Sequence, residues 1–272
     1  MARVRFTILG CGASPGVPRI TGDWGECDPL EPRNRRTRSS ALIERFADDT
    51  APPTRVLIDA GPDLRAQLID RRINEIHGVV FTHPHADHVH GIDDLRTFWM
   101  TMRRPIPVYS DDATQSRLDE GFGYCFKSPD RSSYLPFLDR NRIEPGDNVQ
   151  IDGPGGPISL MPFTQAHGDI SSLGYRLGSL AYSCDFNDLP EESIGRLTGL
   201  SVWILDALRR RPHPSHCSVD QAIDWISEVK PTRAILTHMT NELDYRTLCD
   251  ELPATVEPAY DGLVIEFTEP EP

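Results

Sequence analysis

Short apolar runs bounded by glycine, proline and acidic residues set the pattern of this chain. Val4 to Leu9 reads as a strand and gives way to a loop at Gly10, Gly12, Pro15, Gly16 and Pro18. Ser40 to Phe46 and Arg55 to Asp59 read as two strands joined by the turn Asp48-Asp49-Thr50-Ala51-Pro52-Pro53. Leu64 to Arg72 has helical spacing, with Leu64, Leu68 and Ile69 on one face. Gly78 to Phe81 is a short buried strand, and Ile92 to Met102 again reads as helix. Further strands are predicted at Pro107 to Ser110, Ser159 to Phe163, Leu173 to Leu177, Leu180 to Ser183, Val202 to Asp206, Ala234 to Thr237 and Gly262 to Phe267. Val219 to Glu228 is amphipathic, with Ala222, Ile223 and Ile226 inward. Many strands interspersed with helices predict a layered α/β fold. No repeat or long linker interrupts the pattern, so a single domain over residues 1–268 is expected, with 269–272 as a solvated tail.

Composition changes this picture in two ways. The net charge of −13 lacks the basic face that a general nucleic-acid binder needs. A small phosphorylated substrate stays open, because bound dications would reverse the charge locally. The six cysteines, Cys11, Cys27, Cys125, Cys184, Cys217 and Cys249, are scattered with no CxxC pair, which reads as reduced and mostly buried thiols. No apolar run approaches the ~20 residues of a membrane span, and the opening apolar run is too short for a signal-peptide core. A cytoplasmic protein is expected.

The chemistry is concentrated in Thr82-His83-Pro84-His85-Ala86-Asp87-His88-Val89-His90-Gly91, directly after an apolar strand. Neutral imidazoles and a carboxylate are the usual donors for zinc and similar divalent ions. A strand end offers a rigid base on which such residues converge.

His83-Pro84-His85-Ala86-Asp87-His88 resembles the HxHxDH signature of the metallo-β-lactamase superfamily. Its later motifs are matched in order by His167 in Thr164-Gln165-Ala166-His167-Gly168, by Asp185 in Tyr182-Ser183-Cys184-Asp185 and by His238 in Leu236-Thr237-His238-Met239. Asp59, in Leu57-Ile58-Asp59-Ala60-Gly61, matches the superfamily's structural aspartate. The resemblance implies an αββα sandwich, two mixed sheets packed together with helices on the outer faces. It also implies two divalent ions per chain, zinc or manganese with iron also accepted. His83, His85 and His167 would hold one, Asp87, His88 and His238 the other, and Asp185 with a hydroxide would bridge them. Such a pair produces a nucleophile at neutral pH.

Within the superfamily the chain resembles the PhnP-type and tRNase Z-like phosphodiesterase group, through Leu9-Gly10-Cys11-Gly12-Ala13-Ser14, Ile58-Asp59-Ala60-Gly61-Pro62-Asp63 and Gly91-Ile92-Asp93-Asp94-Leu95-Arg96. That group uses a further histidine before the last ligand, and both His213 and His216 are candidates. His216 is preferred because it sits just before the Val219 helix, as that group's catalytic histidine does. Asp87 and His216 are thus the candidate catalytic residues. The resemblance breaks at two points. Cys27 stands alone where PhnP-type proteins often carry a cysteine-bound structural zinc, so no third metal is expected. The basic arm with which tRNase Z grips tRNA has no counterpart.

The basic run Arg33-Asn34-Arg35-Arg36-Thr37-Arg38 leaves two readings open: a phosphate-recognition loop through Arg35 and Arg36, or a surface loop paired with nearby acids. His77 and His90 are assigned no role. The expected activity is hydrolysis of a small cyclic or nucleotide-like phosphodiester. Thioester or lactone hydrolysis on the same site, an iron redox protein and a non-catalytic binding protein are the alternatives, since fold alone does not decide. The partners expected are a small phosphorylated substrate and at most a second copy of the chain in a homodimer, with no membrane and no extended nucleic acid.

Overall fold

The structure is a computed structural model and describes residues 2–128 and 135–269. Its first sheet takes β1 (Ala2–Gly10), β2 (Ser40–Phe46), β3 (Thr54–Ile58), β4 (Gly78–Val80), β5 (Ile106–Ser110) and β6 (Leu138–Arg142). Its second takes β7 (Val149–Ile151), β8 (Ile158–His167), β9 (Ile170–Leu177), β10 (Leu180–Ser183), β11 (Val202–Asp206), β12 (Arg233–Thr237) and β13 (Val256–Pro258). The last strand, β14 (Val264–Glu269), returns to the first sheet, giving the order β14-β1-β2-β3-β4-β5-β6. The other sheet runs β13-β12-β11-β10-β9-β8-β7. β1, β2 and β3 are antiparallel, and β3 to β6 are parallel. The second sheet repeats that scheme, antiparallel from β7 to β10 and parallel from β10 to β13.

Alternation along the strands assigns residues to layers. On β2 and β3, Ala41, Ile43, Val56 and Ile58 join the core between the sheets. Leu42 and Leu57 face the other way, into the layer with Leu64 and Leu68 of α1 (Leu64–Asp70) and Phe98 of α3 (Arg96–Met102). The short helix α2 (Ala86–Val89) lies between them in sequence and carries Asp87 and His88. The outer side of the second sheet is covered by α6 (Val219–Val229), with Ala222 buried and Ile223 and Ile226 packed on the core, and by α7 (Tyr245–Glu251) through Leu248. The remaining helices are α4 (Asp112–Phe122) and α5 (Glu191–Arg196). The αββα sandwich implied by the resemblance is the fold found.

Several local expectations need correction. Ile69 is exposed and Gln67 takes the inward place, donating to the Arg38 carbonyl and Thr37 Oγ1. The helix expected over 92–102 is a 3-10 turn, Ile92–Leu95, followed by α3. Ile92, Leu95 and Phe98 are all buried at a spacing of three, which suits the tighter turn. Glu269, expected in the tail, belongs to β14, while 270–272 lie outside the described residues. Five cysteines are buried as expected, and Cys249 is exposed. No described helix is long and apolar enough to cross a membrane.

His77 gives the fold a pH dependence. The ring is 3% exposed and its Nδ1 accepts from the Arg55 amide at 3.0 Å. Burial, with Arg104 adding to it, pushes its pKa down to about 4. The folded pKa lies below the unfolded one, so this stability is fully present above about pH 6.5 and is lost as pH falls towards 4. A gap of that size corresponds to up to ~3 kcal/mol. His77→Gln keeps an acceptor without titrating, so its urea-unfolding free energy should fall less than the wild type's between pH 7 and pH 4.5. Parallel curves would show that His77 carries none of this dependence.

Candidate metal centre

The predicted ligands converge because the strands that carry them end at one seam between the sheets. Asp59 follows β3 and His83 follows β4, while His167 ends β8. Asp185 and His238 follow the parallel strands β10 and β12. Asp59, Asp185 and His238 all have left-handed backbones, with φ of 62°, 53° and 58°. For residues other than glycine this costs roughly 1–2 kcal/mol each, and such strain collects at functional sites.

Partners fix which ring nitrogen faces inward. Asp59 is fully buried and receives the Thr82 amide and hydroxyl, each at 2.8 Å, and His88 Nδ1 at 2.7 Å. His83 Nδ1 meets Thr82 Oγ1 at 2.9 Å. His167 Nδ1 donates to the Ser215 carbonyl at 2.6 Å. Gly168, at φ 64°, allows that approach, because a Cβ there would lie 2.8 Å from Ser215 Cβ. The Nε2 atoms of His83, His88 and His167 are thereby left to face Asp185, at 3.6, 3.3 and 3.8 Å.

Two groups of donors result, with all donor atoms of each within 4.8 Å of one another. One is His83, His85, His167 and Asp185; the other is His88, Cys184, Asp185 and His238. Asp185 is common to both, the place expected of a bridge. Asp87 stands beside the second group, with its carboxylate 3.4 Å from His88 Nε2. The residues fit divalent ions on a physical ground. His88 Nε2 is completely buried with no hydrogen-bond partner, yet it points among carboxylates. A buried nitrogen left so calls for an explanation, and a cation held among these carboxylates would supply one. Burial also pushes His83 down and His238 to about 3, which favours the neutral ring that has a lone pair to offer. Burial opposes charge on His88 too, but Asp185, Asp87 and Asp59 outweigh it and raise its pKa. Asp59→Asn, which weakens the hold on His88 without touching the ligand set, should lower metal affinity roughly 10–100-fold. Titration with a competing chelator would measure it, and unchanged affinity would remove Asp59 from the support of the site.

His216 joins the cluster and His213 stands behind it. The His216 ring lies 4.7 Å from His167 and stacks on His238 at 4.9 Å and 12°. Its Nδ1 is 2.7 Å from Asp206, the last residue of β11. Burial disfavours the imidazolium, but the charge and hydrogen bond of Asp206 outweigh it and raise the pKa to about 9. The capping box of Ser218 and Gln221 starts α6 two residues later and fixes where this loop ends. The nearest ring to His213 is His216, at 5.2 Å, and its Nδ1 is turned to Ser215. Sequence reasoning missed Asp206 and Cys184. Asp206 carried the same signal as Asp185, an aspartate where a buried strand stops.

The basic run is corrected at Arg36. That guanidinium is 1% exposed and donates to the carbonyls of Thr240 and Leu243, so it ties down the loop after His238 and has no face for substrate. Arg33 pairs with Glu31 and Arg38 with Asp63, as the surface-loop reading expected. Arg35 is exposed over the Trp24 ring. His90 is exposed against the edge of Phe122.

Residues 54–239 match the family model of the beta-lactamase superfamily domain. An octanoyltransferase of Porphyromonas gingivalis is 31% identical over 264 residues, covering 96% of this chain and 51% of the relative. A ribonuclease Z of Methanopyrus kandleri is 27% identical over 165 residues, covering 59% of this chain and 50% of its own. The chain spans about half the length of these curated relatives. The crystal structure of a diphosphatase from the PhnP family is 33% identical, covers 98% of both chains and superposes with a TM-score of 0.86. The expected likeness to PhnP-type and tRNase Z-like proteins is thus found.

Proposed function

The chain belongs to the beta-lactamase superfamily, and on that premise we propose that it is a binuclear metal-dependent hydrolase of a small phosphodiester. The observation that carries this reading is the pair of donor groups sharing Asp185, with His216 held against them by Asp206. When bound, two divalent ions would lower the pKa of water and polarise the phosphoryl oxygen under attack. His83, His85 and His167 would hold one ion and Asp87, His88 and His238 the other, with Asp185 between them. Asp206 takes Nδ1 of His216, so Nε2 is left to hold the proton that the leaving oxygen needs. The carboxylates of Asp87 and Asp185 disfavour an anionic substrate, and bound cations would offset them.

A second reading is cleavage of a phosphoanhydride, favoured by the PhnP-family relative described as a diphosphatase. The attack at phosphorus is the same, and a phosphate leaves with less need of a proton. The octanoyltransferase name belongs to a protein of which this chain covers about half, so an octanoyl thioester is a comparison substrate. The test is metal analysis with kcat/KM on bis-p-nitrophenyl phosphate, a diphosphate diester, a monoester, a lactone and that thioester. The diester should be preferred roughly ten-fold or more over monoester, lactone and thioester, because two bound ions would suit attack at a singly charged phosphoryl group. Preference for a carboxylic ester or thioester would overturn the phosphoric-ester assignment, and preference for the diphosphate would select the second reading.

A further inference from the structure

We propose that Cys184 supplies a sulfur donor to the second metal position, together with His88, Asp185 and His238. This rests on the binuclear reading above and goes beyond it, because it makes the two positions chemically unequal.

Consecutive residues on a strand face opposite sides, so Cys184 and Asp185 would ordinarily point apart. β10 ends at Ser183, and the left-handed backbone at Asp185 breaks the alternation. Both side chains then reach the same imidazole. Cys184 Sγ lies 3.4 Å from His238 Nδ1, and Asp185 Oδ1 lies 3.0 Å from that nitrogen. The thiol is fully buried and lies within 4.8 Å of the His88 donor, whose buried Nε2 makes no hydrogen bond and has Asp185 and Asp87 oxygens 3.3 and 3.4 Å away. Of the other buried thiols, Cys11 faces Asp261 and Cys27 faces Arg36 and the Leu243 carbonyl.

A thiol that only donated to Asp185 Oδ1, 2.7 Å away, would be a structural prop. The prop reading does not account for a sulfur gathered with the donor atoms of His88, Asp185 and His238. On coordination the thiol loses its proton to solvent and the sulfur binds as thiolate. Sulfur donors favour zinc over harder ions such as manganese. The position built from His83, His85, His167 and Asp185 offers only nitrogen and oxygen and has no such bias.

Cobalt(II) reports the difference. Full-length protein loaded with two equivalents should show thiolate-to-cobalt charge-transfer absorption in the near ultraviolet. Cys184→Ser should lose that band and Cys217→Ser should keep it. X-ray absorption on the zinc-loaded wild type, which needs no variant, should find one sulfur neighbour per two zinc ions. Two bound ions with no sulfur neighbour and no band would overturn the assignment of Cys184 and leave the binuclear reading standing. A band that survives Cys184→Ser would also overturn it. Fewer than two bound ions would overturn the binuclear reading, and the proposal with it.

Discussion

His216→Ala should lower kcat by roughly 10²–10⁴-fold on a phosphodiester with a poor leaving group, the usual contribution of a general acid. The same variant should keep both ions, because the ring lies outside both donor groups. Its Nδ1 is committed to Asp206, and the ring is wedged between His167 and His238. With p-nitrophenolate, which departs without a proton, the loss should be much smaller. A ring that only gripped phosphate would weaken both substrates equally. His213→Ala should be nearly silent, since its Nδ1 is turned to Ser215. Steady-state kinetics on the two substrates with metal analysis of each variant decides the matter. Metal loss in the His216 variant, or a crippled His213 variant, would reverse the assignment.

Asp185→Asn should abolish turnover and release at least one ion. The carboxylate divides its oxygens between the groups: Oδ2 faces His83 and His167, while Oδ1 faces His88 and His238. An amide has the same shape, but it replaces one acceptor oxygen with a donor nitrogen. Both groups lose the negative charge, and whichever way the amide turns, one of them also loses its oxygen donor. The side chain is 2% exposed, so water cannot easily make up the loss. Metal content after dialysis and kcat/KM are the readouts, and full occupancy with wild-type turnover would remove Asp185 from the bridging place.

The sequence disclosed most where residue type and place agreed. Ser40–Phe46 was legible to the residue because apolar side chains meet both layers and a proline-rich turn follows. The histidines were legible because so many imidazoles directly after a buried strand serve few structural ends. α4 was missed because Thr114 and Leu118 are its buried residues, which gives no apolar stripe. β6 reads as Leu-Asp-Arg-Asn-Arg, an edge strand with no alternation to see. Arg36 was misread because arginine suggests solvent, whereas its guanidinium is satisfied by carbonyls distant in sequence. Cys184 was hidden for the opposite reason, since a lone cysteine in an apolar run looks like core.

The pairing of β14 with β1 bears on how the chain is made. Synthesis delivers β1 well before its outer neighbour β14, so that edge keeps open amides and carbonyls until β14 emerges. An edge of that kind invites pairing with a neighbouring chain. The growing polypeptide must therefore be shielded there, or β1 must stay unformed until β14 follows. His83 to His88 likewise leave the ribosome well before His238, and the two sheets cannot grip a shared ion until β12 is in place. A nascent chain stalled before β12 would hold only part of the donor set, because His238 follows that strand.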